Sequence, residues 1–318
     1  MAIRYRSFST RVAGIVRLSP HFLRLTLHGS ELGALAVAGL DQRIKLILPV
    51  PGAGYADLPD GPGIWAAWRA LPNARRNPLR TYTIRAYREL AGELDIDIVD
   101  HGPEGAASRW LAGAAPGEEV RFIGPERSDT ADRTQSAAES PGVTFDRQHA
   151  GPLLLVGDET ALPAIARIMA DLPSATVGDA ILEVPTASDR LPLAQTPGVR
   201  VQWAIRDGRP HGVALRRAIS DWCMQHAGAA ATPARTAGSP AAPTLDRRTV
   251  TRSASSADDT DAVPWDVPAP MHLGRRYAWV AGEAAVVRGI RADLRAAFRP
   301  GEATIACMGY WRHGTAET

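Results

Sequence analysis

The spacing of apolar residues changes once along this chain, close to Gly151, and that change restricts its fold more than any other feature. Up to about residue 125, short runs mix apolar with polar residues: Phe22–Leu27, Arg43–Leu48, Thr81–Tyr87, Leu94–Val99 and Val120–Ile123. A period of two sends every second side chain to one face, which marks half-buried antiparallel strands. Gly and Pro separate the runs, so the expected fold of residues 1–126 is a small antiparallel β-barrel of Greek-key type, interrupted by one helix at 106–112. Beyond Gly151 the pattern is different. Leu153–Val156 is continuously apolar, and a turn and a helix over Ala161–Asp171 follow it. Ala180–Val184, Val199–Ile205 and Tyr277–Ala281 are further buried-strand candidates, with helical stretches at 212–226 and 284–298. Strands that alternate with helices predict a parallel-sheet α/β domain over 151–316.

Two stretches fit neither pattern. Residues 127–150 are polar and read as an interdomain linker. Residues 227–270 are rich in Ala, Pro, Thr, Ser, Asp and Arg. They hold too few large apolar side chains to repay ordering, so they are expected to be a disordered insertion.

Composition excludes several classes. No apolar run reaches the roughly 18 residues that a membrane-spanning helix needs, and the N-terminus has no apolar signal region. Cys223 and Cys307 form no CxxC pair, which argues against a disulfide framework and for a reducing, cytoplasmic setting. The net charge of +2 gives no case for nucleic acid. The eight histidines are scattered without metal-ligand spacing, so no resident metal is expected. Neither a P-loop nor a G-x-S-x-G element is present, and no G-x-G-x-x-G follows Leu153–Val156. Of 36 Lys plus Arg, Lys45 is the single lysine.

Two segments carry chemistry. Arg80-Thr81-Tyr82-Thr83-Ile84-Arg85 offers a cation, a flat ring and a hydroxyl within a few residues. A flavin dinucleotide needs that set, although an ordinary amphipathic strand can share the pattern. About twenty residues on, His101-Gly102 and Gly105-Ala106-Ala107-Ser108 follow a strand and open a helix. Free N–H groups at a helix start suit a phosphate.

Together these segments resemble the FAD site of the siderophore-interacting protein family, a branch of the ferredoxin-reductase-like superfamily. Three later segments share the resemblance: Gly157-Asp158-Glu159-Thr160, Trp279-Val-Ala-Gly-Glu283 and Tyr310-Trp-Arg-His-Gly314. The chain departs from the family pattern at Ala106, where a proline is usual, and in the 227–270 insertion. The resemblance implies an FAD-binding barrel, a nicotinamide-binding α/β domain, and reduction of ferric siderophores with electrons from NADPH or NADH. It implies that Arg80, Thr81, Tyr82, Thr83, His101, Gly102, Gly105, Ala106, Ala107 and Ser108 hold FAD, with Tyr82 and Thr83 at the reacting flavin. Asp158, Glu159 and Thr160 would serve the nicotinamide side, and Lys45 and Arg312 the anionic ferric siderophore. Ser188 and Arg190 follow the second α/β strand, where a 2′-phosphate could lie, which favours NADPH. A monomer is expected. Another flavin reductase, a ferredoxin-fed electron carrier and a non-catalytic siderophore-binding module remain open alternatives.

Overall fold

The computed structural model describes residues 4–61, 63–102, 105–127, 142–149, 151–226, 265–268 and 275–315. Seven antiparallel strands form the first sheet: β1 (Tyr5–Ser19), β2 (Phe22–His28), β3 (Arg43–Ile47), β4 (Leu79–Thr83), β5 (Ala86–Arg88), β6 (Glu93–Val99) and β7 (Glu119–Pro125). Their spatial order is β4-β3-β7-β1-β2-β6-β5, so β7 returns between β1 and β3. Just past β4, Arg85 N donates to Asp95 O of β6 at 2.8 Å and draws the two ends of the sheet together. Inward side chains from every second position fill the interior, among them Phe8, Leu25, Leu27, Ile44, Leu46, Ile96 and Phe122. Helix α1 (Ile64–Ala70) covers the outer face at Ile47, Leu79 and Ile123, and α2 (Ala106–Leu111) lies between β6 and β7.

The second sheet contains β8 (Leu153–Gly157), β9 (Gly178–Val184), β10 (Val199–Ile205), β11 (Trp265–Asp266), β12 (Arg276–Glu283) and β13 (Ala303–Trp311) in the order β10-β9-β8-β12-β13-β11. The five long strands are parallel, while β11 runs antiparallel to β13. Helix α3 (Leu162–Asp171) packs on one face of this sheet, and α4 (Val213–His226) and α5 (Ala284–Ala297) pack on the other. No described helix is long and apolar enough to cross a membrane.

The expected barrel followed by a parallel sheet is what the chain forms, with four differences of detail. Two helices, α1 and α2, interrupt the barrel strands where one was expected, because Ile64 and Trp68 bury one turn of α1 against Ile47, Leu79 and Ile123. β1 escaped the sequence reading because register shifts after Val12 and after Arg17 break its alternation. Thr81–Tyr87 divides into β4 and β5, since the chain turns at Ile84–Arg85 to close the barrel. The expected insertion 227–270 must also be corrected at its end. Trp265 and Asp266 pair with Met308 and Cys307, and Asp266 receives Arg291 of α5, so backbone hydrogen bonding supplies the order that composition did not offer. The expectations for 128–141, 150, 227–264 and 269–270 concern positions outside the described residues.

The two sheets share a core, because Phe22, Leu40 and Val99 of the barrel side pack with Leu155, Ile165 and Ile168. Phe145 is buried beside Tyr277, and Asp41 accepts hydrogen bonds from Thr144 N and Phe145 N at 3.0–3.1 Å. A second tie is Asp189, which is fully buried. It accepts from Ser19 Oγ at 2.7 Å, His21 N at 3.0 Å and Thr186 Oγ1 at 2.7 Å. Burial alone would raise its pKa, but bonds from Thr186, Ser19 and His21 outweigh it and hold the carboxyl at about 2. A carboxyl depressed in the folded state contributes stability above its unfolded pKa and loses it as pH falls through the folded value. Asp189→Asn is therefore expected to be about 2 kcal/mol less stable than the parent at pH 5. Urea unfolding should show that gap narrowing between about pH 4 and pH 2, and a gap independent of pH would show that the carboxylate charge is not what ties the sheets.

Candidate functional site

Strand register decides what the flavin-like segment presents. Arg43 lies opposite Thr83, Ile44 opposite Tyr82, Lys45 opposite Thr81 and Leu46 opposite Arg80. Directly opposed residues share a face of the pleat. Arg80 and Tyr82 therefore lie on the face of Ile44 and Leu46, and Tyr82 packs against the barrel core. Thr81 and Thr83 lie on the opposite face with Lys45 and Arg43. Lys45 is exposed and donates to Thr81 Oγ1. Arg80 Nη1 donates to Leu79 O at 2.7 Å, and among the described residues no carboxylate stands within ion-pair distance of it.

The second segment is a turn tied from within. Asp100 Oδ1 accepts from Gly102 N at 3.0 Å, and Ser108 Oγ accepts from His101 N at 3.2 Å. Gly102 has φ 72°, which favours glycine. Helix α2 then starts after Gly105, which supplies no side-chain cap. The N–H groups of Ala106, Ala107 and Ser108 have no capping side chain from Gly105 to satisfy them.

Opposite this turn, the parallel strands of the second sheet end together, and the order reverses between β8 and β12. Ligands of open α/β sheets bind at such a switch point. Asp158 sits there, buried, with five donors around it, the longest from Ala161 N to Oδ1 at 3.4 Å. Its Oδ1 accepts from Thr160 N at 2.9 Å and Thr160 Oγ1 at 2.6 Å, and its Oδ2 from Glu283 N at 2.8 Å and Trp311 Nε1 at 2.9 Å. Burial, joined by the neighbouring Glu159 charge, pushes its pKa up to about 6. Glu283 caps α5 by accepting from Ala285 N and Val286 N. Between them Gly282 has φ 144°, and a Cβ there would lie 2.6 Å from Asp158 Oδ2. Gly282→Ala is therefore expected to cost about 1–2 kcal/mol and to loosen the Trp311–Asp158 bond. Thermal unfolding and indole fluorescence check this, and an unshifted melting temperature would contradict the close approach.

Glu159 is also buried, held bidentately by Arg206 at 2.8 and 2.9 Å. Arg206 Nη1 further reaches Glu183 at 3.3 Å and His211 Nδ1 at 2.8 Å. A guanidinium only donates, so His211 Nδ1 accepts and the ring proton sits on Nε2. Desolvation, the largest influence, lowers the His211 pKa and keeps the ring neutral. Glu159, Glu183 and His211 have ligand atoms within 4.8 Å of one another, the spacing of a cation site, and the Arg206 guanidinium is the cation among them.

The two sides meet at Trp311. Its ring lies 6.4 Å from His101 of the barrel turn, 4.9 Å from His211 and 6.3 Å from His313. His101 and the Asp158–Thr160 turn, far apart in sequence, are thereby brought to one cleft. Arg312 follows Trp311 at the same strand end, half-buried. Thr83 is separated by the pleat from Arg80 and Tyr82, with which sequence reasoning had grouped it. Asp158 and Glu159 are turned inward on protein partners. Ser188 and Arg190 are exposed beside buried Asp189. Sequence reasoning missed Arg43, Glu183, Arg206, His211 and Trp265. Arg206, Glu183 and His211 fit no motif, and Trp265 was hidden by the composition around it.

The family of siderophore-interacting FAD-binding domains matches residues 11–129, and the siderophore-interacting protein family matches residues 150–314. An uncharacterized protein of Mycobacterium tuberculosis is 34% identical over 193 residues, which cover 60% of this chain and 62% of the relative. The chain therefore matches less than two thirds of that relative's length. The ferric vibriobactin reductase of Vibrio cholerae is 25% identical over 303 residues, covering 94% of this chain and 87% of the relative. The crystal structure of the siderophore-interacting protein SipS from Aeromonas hydrophila superposes with a TM-score of 0.62 at 26% identity, covering 98% of this chain and 94% of that one.

Proposed function

The chain belongs to the siderophore-interacting protein family, and on that premise we propose that it is an FAD-dependent ferric-siderophore reductase. The supporting observation is the meeting at Trp311 of the barrel's phosphate-type turn and the switch point of the parallel sheet. Electrons from a nucleotide at one can reach a flavin at the other only if the two adjoin.

The donor set suits FAD. The turn after Gly105 supplies N–H groups without a capping side chain, and Arg80 supplies a cation without a carboxylate partner among the described residues. The ring of Tyr82 shares the face of Arg80, and the hydroxyls of Thr81 and Thr83 lie on the other face of the strand beside Lys45 and Arg43. Bound FAD would take a hydride from NADPH or NADH and pass electrons singly to Fe(III). The protein's share is binding and exclusion. Trp311, fixed by Asp158, walls the cleft, and the neutral ring of His211 adds an uncharged surface beside it. Lys45 and Arg312 attract the anionic ferric siderophore, whose hard oxygen donors hold Fe(II) far less firmly than Fe(III). We place this reaction in the cytoplasm and in a monomer, with domains dividing at the 127–150 segment.

Visible absorption of the purified protein and ferrozine-trapped Fe(II), with NADPH, NADH or reduced ferredoxin as donor, test the reading. A yellow protein that reduces a ferric siderophore supports it. A colourless protein that still binds the chelate would favour a binding module. A yellow protein that reduces free flavin but no ferric chelate would favour a flavin reductase.

A further inference from the structure

His211 is held more firmly than packing requires. It stands in the connection between β10 and α4. Arg206 Nη1 donates to its Nδ1 at 2.8 Å. Arg206 is itself gripped by Glu159 at 2.8 and 2.9 Å and reaches Glu183 at 3.3 Å, so its guanidinium cannot turn away. Glu183, fully buried near the end of β9, also accepts from Gly212 N at 3.0 Å and Leu215 N at 2.9 Å. It thereby pins the backbone that carries His211. Trp311 closes the other side, its ring 4.9 Å away at 77°. Two buried carboxylates and an arginine thus fix one imidazole in one tautomer at the cleft.

That tautomer leaves a donor. Nδ1 faces Arg206, so the N–H of Nε2 leaves the ring on the side away from the Glu159–Arg206–Glu183 cluster. The side chain is 32% exposed, and no acceptor among the described residues stands within hydrogen-bond distance of Nε2. Other donors on this side are engaged, since Trp311 Nε1 and Thr160 Oγ1 both donate to Asp158. His211 Nε2 therefore remains for a ligand at the C-terminal edge of the sheet. Its charge state selects that ligand. Desolvation keeps the ring neutral. An uncharged N–H suits a carbonyl oxygen, and it does not repel a partner that becomes cationic. Nicotinamide is such a partner: its carboxamide offers the oxygen, and its ring turns positive once the hydride has left. A histidinium would repel the oxidised ring, and a carboxylate would retain it.

We propose that His211 donates through Nε2–H to the carboxamide oxygen of the nicotinamide and so orients that ring toward the flavin. The inference rests on the reading that NADPH or NADH is the electron donor, and it names the residue that orients it. Arg206 acts through His211, by fixing the tautomer, and does not itself touch the nucleotide.

The test uses the FAD-loaded protein with ferricyanide as electron acceptor, so that the siderophore step plays no part. NADPH and NADH are each tried as donor, and calorimetry reads binding of NADP⁺, NAD⁺ and ADP-ribose, which lacks only the nicotinamide. His211→Phe keeps a flat ring against Trp311 and removes the N–H. His211→Gln returns an N–H near the place of Nε2. His211→Phe should raise the KM for the reduced nucleotide and the Kd of its oxidised form about 3- to 10-fold. It should leave the Kd of ADP-ribose within about twofold and keep FAD content and melting temperature. His211→Gln should recover most of the affinity. Unchanged nucleotide constants in His211→Phe, an equal loss on ADP-ribose, or a His211→Gln as weak as His211→Phe would overturn the assignment of His211 while leaving the nicotinamide reading intact. A parent protein that oxidises neither reduced nucleotide and binds neither oxidised one would overturn the nicotinamide reading, and the role of His211 with it.

Discussion

Arg80→Ala should raise the dissociation constant for FAD about 10- to 100-fold, because it removes a charge-assisted contact worth about 1.5–3 kcal/mol. The expectation comes from the charge balance around β4. Arg24, Arg85 and Arg88 of the same barrel each lie against Asp95 or Asp97. Arg80 donates to the Leu79 carbonyl and has no carboxylate among the described residues within ion-pair distance. A cation left without a counter-charge suits a pyrophosphate, whereas a purely structural arginine would be paired. Flavin fluorescence titration of the apoprotein measures the effect directly. Arg80→Lys should recover part of the affinity but not all, since a point charge cannot reproduce a fork of parallel donors. If Arg80→Ala keeps the parent affinity for FAD at unchanged stability, Arg80 does not serve the cofactor.

Lys45→Ala should raise the apparent KM for an anionic ferric siderophore about 10-fold, within a range of about 5 to 100, with little change in FAD content or in KM for the nicotinamide. Lys45 is exposed on β3 while Ile44 and Leu46 on either side of it are buried, so removing the ammonium leaves the core intact. Its hydroxyl contact at Thr81 places the charge on the face opposite Arg80 and Tyr82. The loss should shrink as ionic strength rises, since an exposed charge is screened within about 10 Å at 0.1 M salt. Kinetics with an anionic and a neutral ferric chelate separate the readings. A loss confined to the anionic chelate identifies a substrate contact. An equal loss on both would mean that Lys45 supports the flavin or the barrel.

Much of the architecture was legible from sequence because it is set locally. Val199–Ile205 and the helix starting at Ala284 fall where periodicity puts them, since a period of 2 or 3.6 in apolar residues is enough to choose between strand and helix. Within the Trp279–Glu283 motif, Glu283 has a local explanation because it caps the helix that follows, whereas Gly282 leaves room for the Asp158 carboxylate, which becomes its neighbour only in the folded chain.

The partners of each side chain were decided by the tertiary structure. The order Arg80, Thr81, Tyr82, Thr83 names a cation, a ring and hydroxyls, but the pairing of β4 with β3 divides them between two faces. Glu159 follows β8, Glu183 ends β9, and Arg206 and His211 follow β10, and they meet because parallel strands bring their C-terminal ends to one edge. Composition around Trp265 predicts disorder. Two backbone pairs to β13, the Arg43 guanidinium and the Asp266–Arg291 ion pair hold it in place. The physical reason is the range of the forces involved. Backbone geometry and apolar periodicity act over a few residues and are written in the sequence. Ion pairing, ring stacking and strand register join residues that become neighbours only after the chain has folded.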